Sequence, residues 1–312
     1  MHESPLAGRD LIGIADLSKD EIVYLLRLAD HLRQAVAERR QLDLLSGYLL
    51  ATLFYEPSTR TRLSFEAAMH RLGGDVLSVA DARASSSAAK GETIADAART
   101  VATYADIIVQ RHPAVGSARQ AADAVDIPVI NAGDGAGEHP TQALLDLYTI
   151  RQEKGRLDGL TVALVGDLKH GRTVHSLARA LAHWNATLLL ISPPALAMDP
   201  AAVAQLRTAG LRVEESDTLA WALPQADVLY VTRIQRERFA DPAEYERLSG
   251  SYVIDRALLA WAQPELTVMH PLPRVDEISA DVDGLPNAAY FRQAANGVWV
   301  RMALLAALLG CV

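Results

Sequence analysis

The sequence predicts an α/β protein built from parallel sheets flanked by helices, in two domains. Three observations predict it. Short apolar runs alternate with helical stripes from one end of the chain to the other. Polar, glycine-rich or basic clusters follow the runs, where a strand gives way to a helix. The chain has 312 residues, half of them hydrophobic, which is enough for two separate cores.

Taken in order, Leu25, Leu28, Ala29 and Leu32 form a helical stripe behind Ser18 as its cap, and this opening helix needs no role beyond packing. Tyr48 to Phe54 reads as a buried strand. Phe65, Ala68, Met69 and Leu72 then recur at helical spacing, and Gly73 and Gly74 stop that helix. Between strand and helix lies Ser58-Thr59-Arg60-Thr61-Arg62, which concentrates three hydroxyls and two guanidinium groups. The N–H groups and dipole of a helix N-terminus favour a bound anion, and Arg60 and Arg62 would add fork-shaped donors suited to phosphate. The competing reading is an ordinary capped helix with its arginines in water, but a cap needs only one hydroxyl.

Val76 to Val79 is the next strand. The loop from Ala84 to Gly91 that follows is rich in serine and reads equally as a flexible surface loop or as a functional one. Ile94, Ala97, Ala98 and Val101 make a helical stripe, and Ile107 to Val109 a strand with Arg111 and His112 at its carboxyl end, the end at which open α/β sheets bind ligands. Pro128 to Ala132 is another strand, running into Gly133, Gly135 and Gly137. Their G-x-G-x-G spacing is a weak match to a dinucleotide loop. Pro140 suits a first helical turn, so His139 and Gln142 overhang a helix N-terminus. A buried histidine satisfied by backbone is the common alternative, but polar His and Gln beside glycines at a strand end favour a ligand contact. Leu144, Leu147 and Tyr148 face inward on that helix, and Gly155 to Gly159 is the expected hinge.

The second half repeats the alternation. Val162 to Val165, Leu188 to Ile191, Val228 to Thr232 and Thr267 to Met269 read as strands, and Arg172 and Thr173 open a helix ending near Trp184. Gly166 to Thr173 matches the phosphate loop G-x-x-x-x-G-K-[ST] except that Arg172 replaces the lysine. Without that lysine, and with no convincing acidic partner for magnesium, nucleotide hydrolysis is disfavoured. An arginine there suits a planar carboxylate. Arg233 to Arg238 is basic at another strand end, and His270-Pro271-Leu272-Pro273-Arg274 is a stiff, donor-poor turn that exposes carbonyls. Val298, Met302, Leu305 and Leu309 give a closing amphipathic helix.

A formal net charge of −8 argues against nucleic acid as a partner, so an anionic ligand must be drawn by a local cluster. One cysteine, Cys311, excludes intrachain disulfides and thiolate metal clusters and suits a reducing cytoplasm. Met1 to Asp10 lacks the apolar core of a signal peptide, and the apolar run Met302 to Leu309 falls far short of the about 20 residues that span a bilayer. No membrane segment is expected, and the expected location is cytoplasmic.

Six separated motifs carry a resemblance. Ser-Thr-Arg-Thr-Arg at 58–62, Lys-Gly-Glu-Thr at 90–93, His-Pro-Thr-Gln at 139–142, Gly-Arg-Thr at 171–173, Arg-Ile-Gln-Arg-Glu-Arg at 233–238 and His-Pro-Leu-Pro-Arg at 270–274 resemble, in order and over nearly the whole chain, the carbamoyltransferase family, and within it the aspartate-using branch. The resemblance implies the carbamoyltransferase fold, with residues 1–150 binding carbamoyl phosphate, 151–290 binding aspartate, and 291–312 forming a helix that packs back on the first domain. It implies transfer of the carbamoyl group to the amine of L-aspartate, giving N-carbamoyl-L-aspartate and phosphate, in de novo pyrimidine synthesis, with no cofactor and no metal. Ser58, Thr59, Arg60 and Thr61 would hold the phosphate, and Arg111 would bridge phosphate and carbonyl. His139, Thr61 and Arg111 would donate to the carbonyl oxygen, and Gln142 would hold the amide. Arg60, Thr61, Arg111 and His139 thus form the catalytic set. Arg172, Arg233 and Gln235, with Lys90, would take the aspartate carboxylates. The carbonyls of Leu272 and Pro273 would complete the carbamoyl phosphate set and orient the amine. Family enzymes are trimers in which a neighbouring chain completes each site, and Ser86 and Lys90 match those loop residues. The resemblance leaves open whether regulatory chains or a dihydroorotase join a homotrimer. Ala89 replaces a lysine often seen beside Lys90, and His170 stands where some members have Tyr; neither removes a phosphate or carboxylate donor.

Two rivals remain. An ornithine enzyme of the same family would want an acid or thiolate near its substrate's ammonium, whereas the turn at 270–274 has no cysteine and Arg233 and Gln235 suit a carboxylate. A phosphate-binding or nucleotide-sensing module without chemistry would rest on the near phosphate loop at 166–173.

Overall fold

A computed structural model describes residues 4–85, 90–234, 239 and 241–312 of the chain. They form two compact units, Met1–Leu145 with Ala295–Val312, and Asp146–Ala294.

The first unit holds a four-stranded, wholly parallel sheet of β1 (Leu49–Phe54), β2 (Asp75–Val79), β3 (Ile107–His112) and β4 (Val129–Asp134), in the order β2-β1-β3-β4. Its inner strands are buried apolar runs, as expected for a parallel sheet covered on both faces. Helices α1 (Lys19–Ala37), α2 (Thr59–Arg71), α3 (Ala82–Ser85), α4 (Ile94–Ala102) and α5 (Ser117–Ala122) fall before and between the strands, and α6 (Pro140–Lys154) leaves β4. The opening helix starts where expected. Ser18 Oγ accepts from the Glu21 N–H at 3.3 Å while Glu21 Oε2 accepts from the Ser18 N–H at 2.8 Å, a reciprocal capping box. Beyond it Ile22, Leu25, Ala29 and Leu32 are buried.

The second unit holds a five-stranded parallel sheet of β5 (Thr161–Val165), β6 (Thr187–Ile191), β7 (Arg212–Ser216), β8 (Val228–Val231) and β9 (Thr267–Met269), in the order β7-β6-β5-β8-β9. Helices α7 (Arg172–Leu181), α8 (Pro200–Thr208), α9 (Leu219–Ala222), α10 (Pro242–Leu248) and α11 (Arg256–Leu259) accompany it. Ala163, Val165, Leu189, Leu229, Val231 and Val268 from the strands pack with Tyr290 in one core. The last helix, α12 (Tyr290–Leu308), begins in this unit and ends in the first.

Some elements depart from the sequence reading. α3, α5, α8, α9, α10, α11 and β7 were not expected. β7 reads Arg-Val-Glu-Glu-Ser and lacks an apolar run because it is an edge strand, where charge is tolerated and discourages pairing with other chains. The helix opened by Arg172 stops at Leu181, and the chain then turns, with the Trp184 N–H donating to the Leu181 carbonyl at 2.9 Å. β8 stops at Val231, one residue short of Thr232.

Strand order fixes where ligands can sit. In each sheet the order reverses once, between β1 and β3 in the first and between β5 and β8 in the second. At such a switch point the chain leaves neighbouring strands in opposite directions, and a crevice opens at their carboxyl ends.

Candidate active site

In the first unit, register places Phe54 beside Arg111 and His112 beside Asp134. The segment after β1, the end of β3 and the segment after β4 therefore share one sheet edge, at the switch point. α2 begins at Thr59, with Ser58 extended at the cap position (φ −158°, ψ 92°), and the Ser58 side chain makes no capping hydrogen bond. The Ser58 hydroxyl thus leaves the first-turn N–H groups uncapped, the condition that favours an external anion. Arg60 is exposed, and among the described residues no hydrogen bond or ion pair engages it. Partial desolvation lowers its pKa from the ordinary value, and it stays a cation. Thr61 is buried.

Arg62 behaves differently from the expectation that it would serve beside Arg60. Its Nη1 donates to Glu66 Oε1 at 2.9 Å and to Ser78 Oγ at 2.8 Å, and Glu66 Oε1 also accepts from Ser78 Oγ at 2.6 Å and Thr52 Oγ1 at 3.3 Å. A glutamate one turn along the same helix captures the guanidinium and ties α2 to β1 and β2.

Arg111, the penultimate residue of β3, has its Nε 3.4 Å from Glu56 Oε2, and its carbonyl accepts from the Tyr55 N–H at 2.8 Å. The neighbouring His112 is occupied: its Nδ1 accepts from the Ala114 N–H at 3.0 Å and its ring lies edge-on to Tyr55 at 4.8 Å between centroids. Burial lowers its pKa against the opposing pull of Glu56, which suits a neutral acceptor.

The glycines after β4 serve a tight loop around Asp134, not a dinucleotide. The Asp134 carboxylate accepts from the N–H groups of Gly116 and Glu138, each at 2.7 Å. Gly135 has φ +52°, and a Cβ there would lie 2.4 Å from the Pro113 carbonyl oxygen. The loop delivers His139 to the start of α6, where its carbonyl accepts from the N–H groups of Gln142 at 3.0 Å and Ala143 at 3.2 Å. His139 and Gln142 are both buried, and Thr141 Oγ1 lies 3.5 Å from His139 Nδ1. Lys90 is exposed. Ser86, with Ser87 to Ala89, lies outside the described residues.

In the second unit, Val165 pairs with Val231 and Tyr230 with Met269, so the loops after β5, β8 and β9 also share an edge. A Cβ on Gly166, whose φ is +114°, would lie 2.2 Å from the Thr232 carbonyl oxygen, so only glycine lets these two loops touch. Asp167 is wholly buried inside its loop and accepts from the His170 N–H at 2.9 Å. A carboxylate thus already occupies a donor that a nucleotide phosphate would need, which removes the physical basis of the near phosphate loop. Arg172 opens α7 behind Gly171, which has no side chain to cap it, and Arg172 and Arg233 are half-buried. Gln235 lies outside the described residues.

The turn after β9 is held at both ends. His270 is buried; its Nδ1 accepts from the Leu272 N–H at 2.8 Å and its Nε2 lies 2.6 Å from Glu277 Oε1. With Nδ1 accepting, the ring proton belongs on Nε2 and is donated to Glu277. Glu277 Oε2 accepts in turn from the N–H groups of Val275 and Asp276, each at 3.1 Å. Burial pushes the Glu277 carboxyl upward, but His270 and these backbone donors outweigh it and hold the pKa at about 2. At the other end Arg274 Nη2 donates to Asp283 Oδ2 at 2.6 Å, and its guanidinium stacks over Tyr290 and Phe291. Between them Leu272 has φ +56° and a cis bond to Pro273. What the turn has left to present is the backbone of residues 271–273. The clamping residues were not singled out from the sequence; the one signal for them was an acidic residue shortly after a histidine. Among the described residues no group of three or more His, Cys, Asp or Glu could hold a metal ion, and no helix is long and apolar enough to cross a membrane.

Two family profiles cover almost the whole chain: "Aspartate/ornithine carbamoyltransferase, carbamoyl-P binding domain" over residues 9–152 and "Aspartate/ornithine carbamoyltransferase, Asp/Orn binding domain" over residues 158–308. The chain belongs to the aspartate/ornithine carbamoyltransferase family. Among members of this family, the aspartate carbamoyltransferase catalytic subunit of Thermococcus onnurineus is 55% identical over 303 residues, 97% of either chain. The structure of aspartate transcarbamoylase from Trypanosoma cruzi in complex with carbamoyl phosphate and aspartate superposes with a TM-score of 0.93 at 41% identity, covering 98% of each chain. The catalytic subunit of M. jannaschii aspartate transcarbamoylase gives 0.90 at 50% identity, over 96% of this chain and 97% of the other.

Proposed function

We propose that this member of the carbamoyltransferase family transfers the carbamoyl group of carbamoyl phosphate to the amine of L-aspartate, releasing N-carbamoyl-L-aspartate and phosphate for pyrimidine (UMP) synthesis. The observation that carries the reading is the coincidence of each basic cluster with a switch point: Ser58–Thr61 and Arg111 where β1 and β3 part, Arg172 and Arg233 where β5 and β8 part. The near-full-length likeness to aspartate-specific relatives supports the choice of amino acid.

In this reading Ser58, Thr59, Arg60 and Thr61 bind the phosphate on the N-terminus of α2. The neutral amine of aspartate attacks the carbamoyl carbon, negative charge grows on the carbonyl oxygen, and Thr61, Arg111 and His139 stabilise it. The C–O bond to phosphate then breaks, and the leaving phosphate takes the proton that the amine gives up. His139 acts as a donor to the carbonyl and not as the base, because the phosphate dianion is nearer the proton. Gln142 holds the amide, and Leu272 and Pro273 offer carbonyls to the amide and the amine. Arg172, Arg233, Gln235 and Lys90 take the two carboxylates. Fixing both anionic substrates against their mutual repulsion supplies on the order of 7–11 kcal/mol of the barrier.

The functional domains of this reading are residues 1–150 and 151–290, with 291–312 returning to the first. The assembly is a cytoplasmic homotrimer in which Ser86 and Lys90 of a neighbouring chain complete each site. The test is a colorimetric assay for carbamoyl amino acids with aspartate and with ornithine, beside native mass measurement. Turnover with aspartate by a trimer is expected. Turnover with ornithine alone, or nucleotide binding that survives Arg60→Ala without any carbamoyl-aspartate formed, would overturn it.

A further inference from the structure

The turn at 270–274 contributes backbone carbonyls to the proposed machinery and no side chain, so something else must hold it in place. A second buried chain of polar groups reaches it from behind. The His270 N–H donates to Gln293 Oε1 at 2.9 Å, Gln293 Nε2 donates to Asp146 Oδ1 at 2.6 Å, and Asp146 Oδ2 accepts from Tyr230 Oη at 2.8 Å. Asp146, Tyr230, His270 and Gln293 are each at most 1% exposed, and Glu277 is 6% exposed. Four buried polar side chains, from α6, β8, α12 and the segment just after the turn, therefore converge on one histidine whose ring and backbone N–H are both engaged.

The need for this arrangement follows from the backbone. Leu272 is not a glycine, yet it sits at φ +56°, a region that L side chains rarely adopt. Such a conformation persists where its surroundings over-determine it, and here the Leu272 N–H is pinned onto His270 Nδ1. The pin works only if Nδ1 carries no proton, and the Glu277 carboxylate secures that by taking the ring proton on the Nε2 side. The Asp146–Gln293 leg sets the height of the imidazole by fixing the backbone from which it hangs. An apolar core could fill the same volume; a chain of directed hydrogen bonds specifies the angle of a turn as well.

We infer that Glu277 and Gln293 are positioning residues for carbamoyl transfer: acting through His270, they aim the carbonyls of Leu272 and Pro273 at the carbamoyl amide. This rests on the functional reading above, in which those carbonyls touch the carbamoyl amide and the attacking amine and not the phosphate.

That division gives the test. Steady-state kinetics of the full-length enzyme are measured for the wild type, Glu277→Ala, Glu277→Gln and Gln293→Ala, with inorganic phosphate as a competitive inhibitor. Glu277→Ala is expected to raise the KM for carbamoyl phosphate and lower kcat, at least tenfold in kcat/KM, while the inhibition constant of phosphate stays within twofold. Glu277→Gln, which keeps an acceptor for His270 Nε2–H, should recover most of the loss. Gln293→Ala should shift the same two quantities in the same direction, and it keeps the test open if Glu277→Ala does not fold. Kinetics like wild type in Glu277→Ala and Gln293→Ala would overturn the inference, and so would a phosphate constant that worsens in step with KM, since that reports general damage. A wild type that makes no carbamoyl-aspartate would instead remove the functional reading beneath it.

Discussion

The anion turn at 58–62 and the carbonyl turn at 270–274 are built on opposite plans. In the first, donors are left over: Ser58 does not cap its helix, and Arg60 is exposed and engaged by none of the described residues. In the second, His270 and Arg274 are both spent on neighbours, and only backbone is left to offer. The difference follows from what each ligand atom needs. A phosphate is a strong acceptor that binds whatever charge-assisted donors are left unengaged. A weakly polar amide or amine recruits nothing, so the acceptors that orient it must be set beforehand. Mutations should therefore separate the two plans. The unengaged side chains of the first turn should matter for chemistry and little for folding, and side chains around the second should matter for both.

The largest expected effect tests the first half of that statement. Arg60→Ala should lower kcat/KM for carbamoyl phosphate by about a thousandfold, the upper range for removing one preorganised donor. Its thermal midpoint should hardly move, because no hydrogen bond or ion pair among the described residues depends on this exposed side chain. A fall in stability matching the fall in activity would break the comparison. His139→Ala should lower kcat by about a hundredfold on the same physical ground. An unchanged kcat would remove His139 from the reaction.

The next effect belongs to the clamped turn and is read in acid. The Glu277 carboxyl ordinarily titrates near 4.5 and is held at about 2 in the folded chain. A lowered folded-state pKa contributes stability that is present above about 4.5 and is lost as pH falls towards about 2. The size is on the order of 3 kcal/mol, from the width of that window. Denaturant unfolding of the wild type from pH 6 down to pH 2.5 should therefore show a downward slope through this range, and Glu277→Gln should flatten it. Equal slopes in the two proteins would mean that the carboxylate is not stabilised by its place beside His270.

How far the sequence showed these two plans depends on which residue type carries each. The strand-then-helix alternation was legible because buried parallel strands are apolar throughout, and the anion turn was legible because hydroxyls and guanidinium groups crowd into it. The edge strand β7 was not, since an edge can be as charged as a loop. Asp146, Gln293 and Glu277 were not either. They lie far apart in sequence on different elements, and each alone looks like an ordinary helix or loop residue until the fold brings them to His270. The near phosphate loop at 166–173 misled in the opposite way: its spacing is right, but a buried Asp167 uses the loop's own donor.

The smallest expected effect is the most discriminating, because it concerns two arginines two residues apart that the sequence could not tell apart. Arg60 and Arg62 have the same charge, the same reach and the same helix turn. They part because Glu66 stands four residues beyond Arg62, with Ser78 on the neighbouring strand completing its shell, whereas no hydrogen bond or ion pair among the described residues engages Arg60. Arg62→Ala should therefore act as a packing change. It should cost about 1 kcal/mol of stability, the scale for a partly exposed, hydrogen-bonded ion pair, and should leave the inhibition constant of inorganic phosphate unchanged. Glu66→Gln should reproduce a part of the stability loss, and a double variant should lose less than the sum of the two, since both changes remove the same contact. If phosphate binding weakened in Arg62→Ala as it does in Arg60→Ala, the guanidinium would have to leave Glu66 when the anion arrives, and the first turn would offer two guanidinium groups where the structure leaves one unengaged.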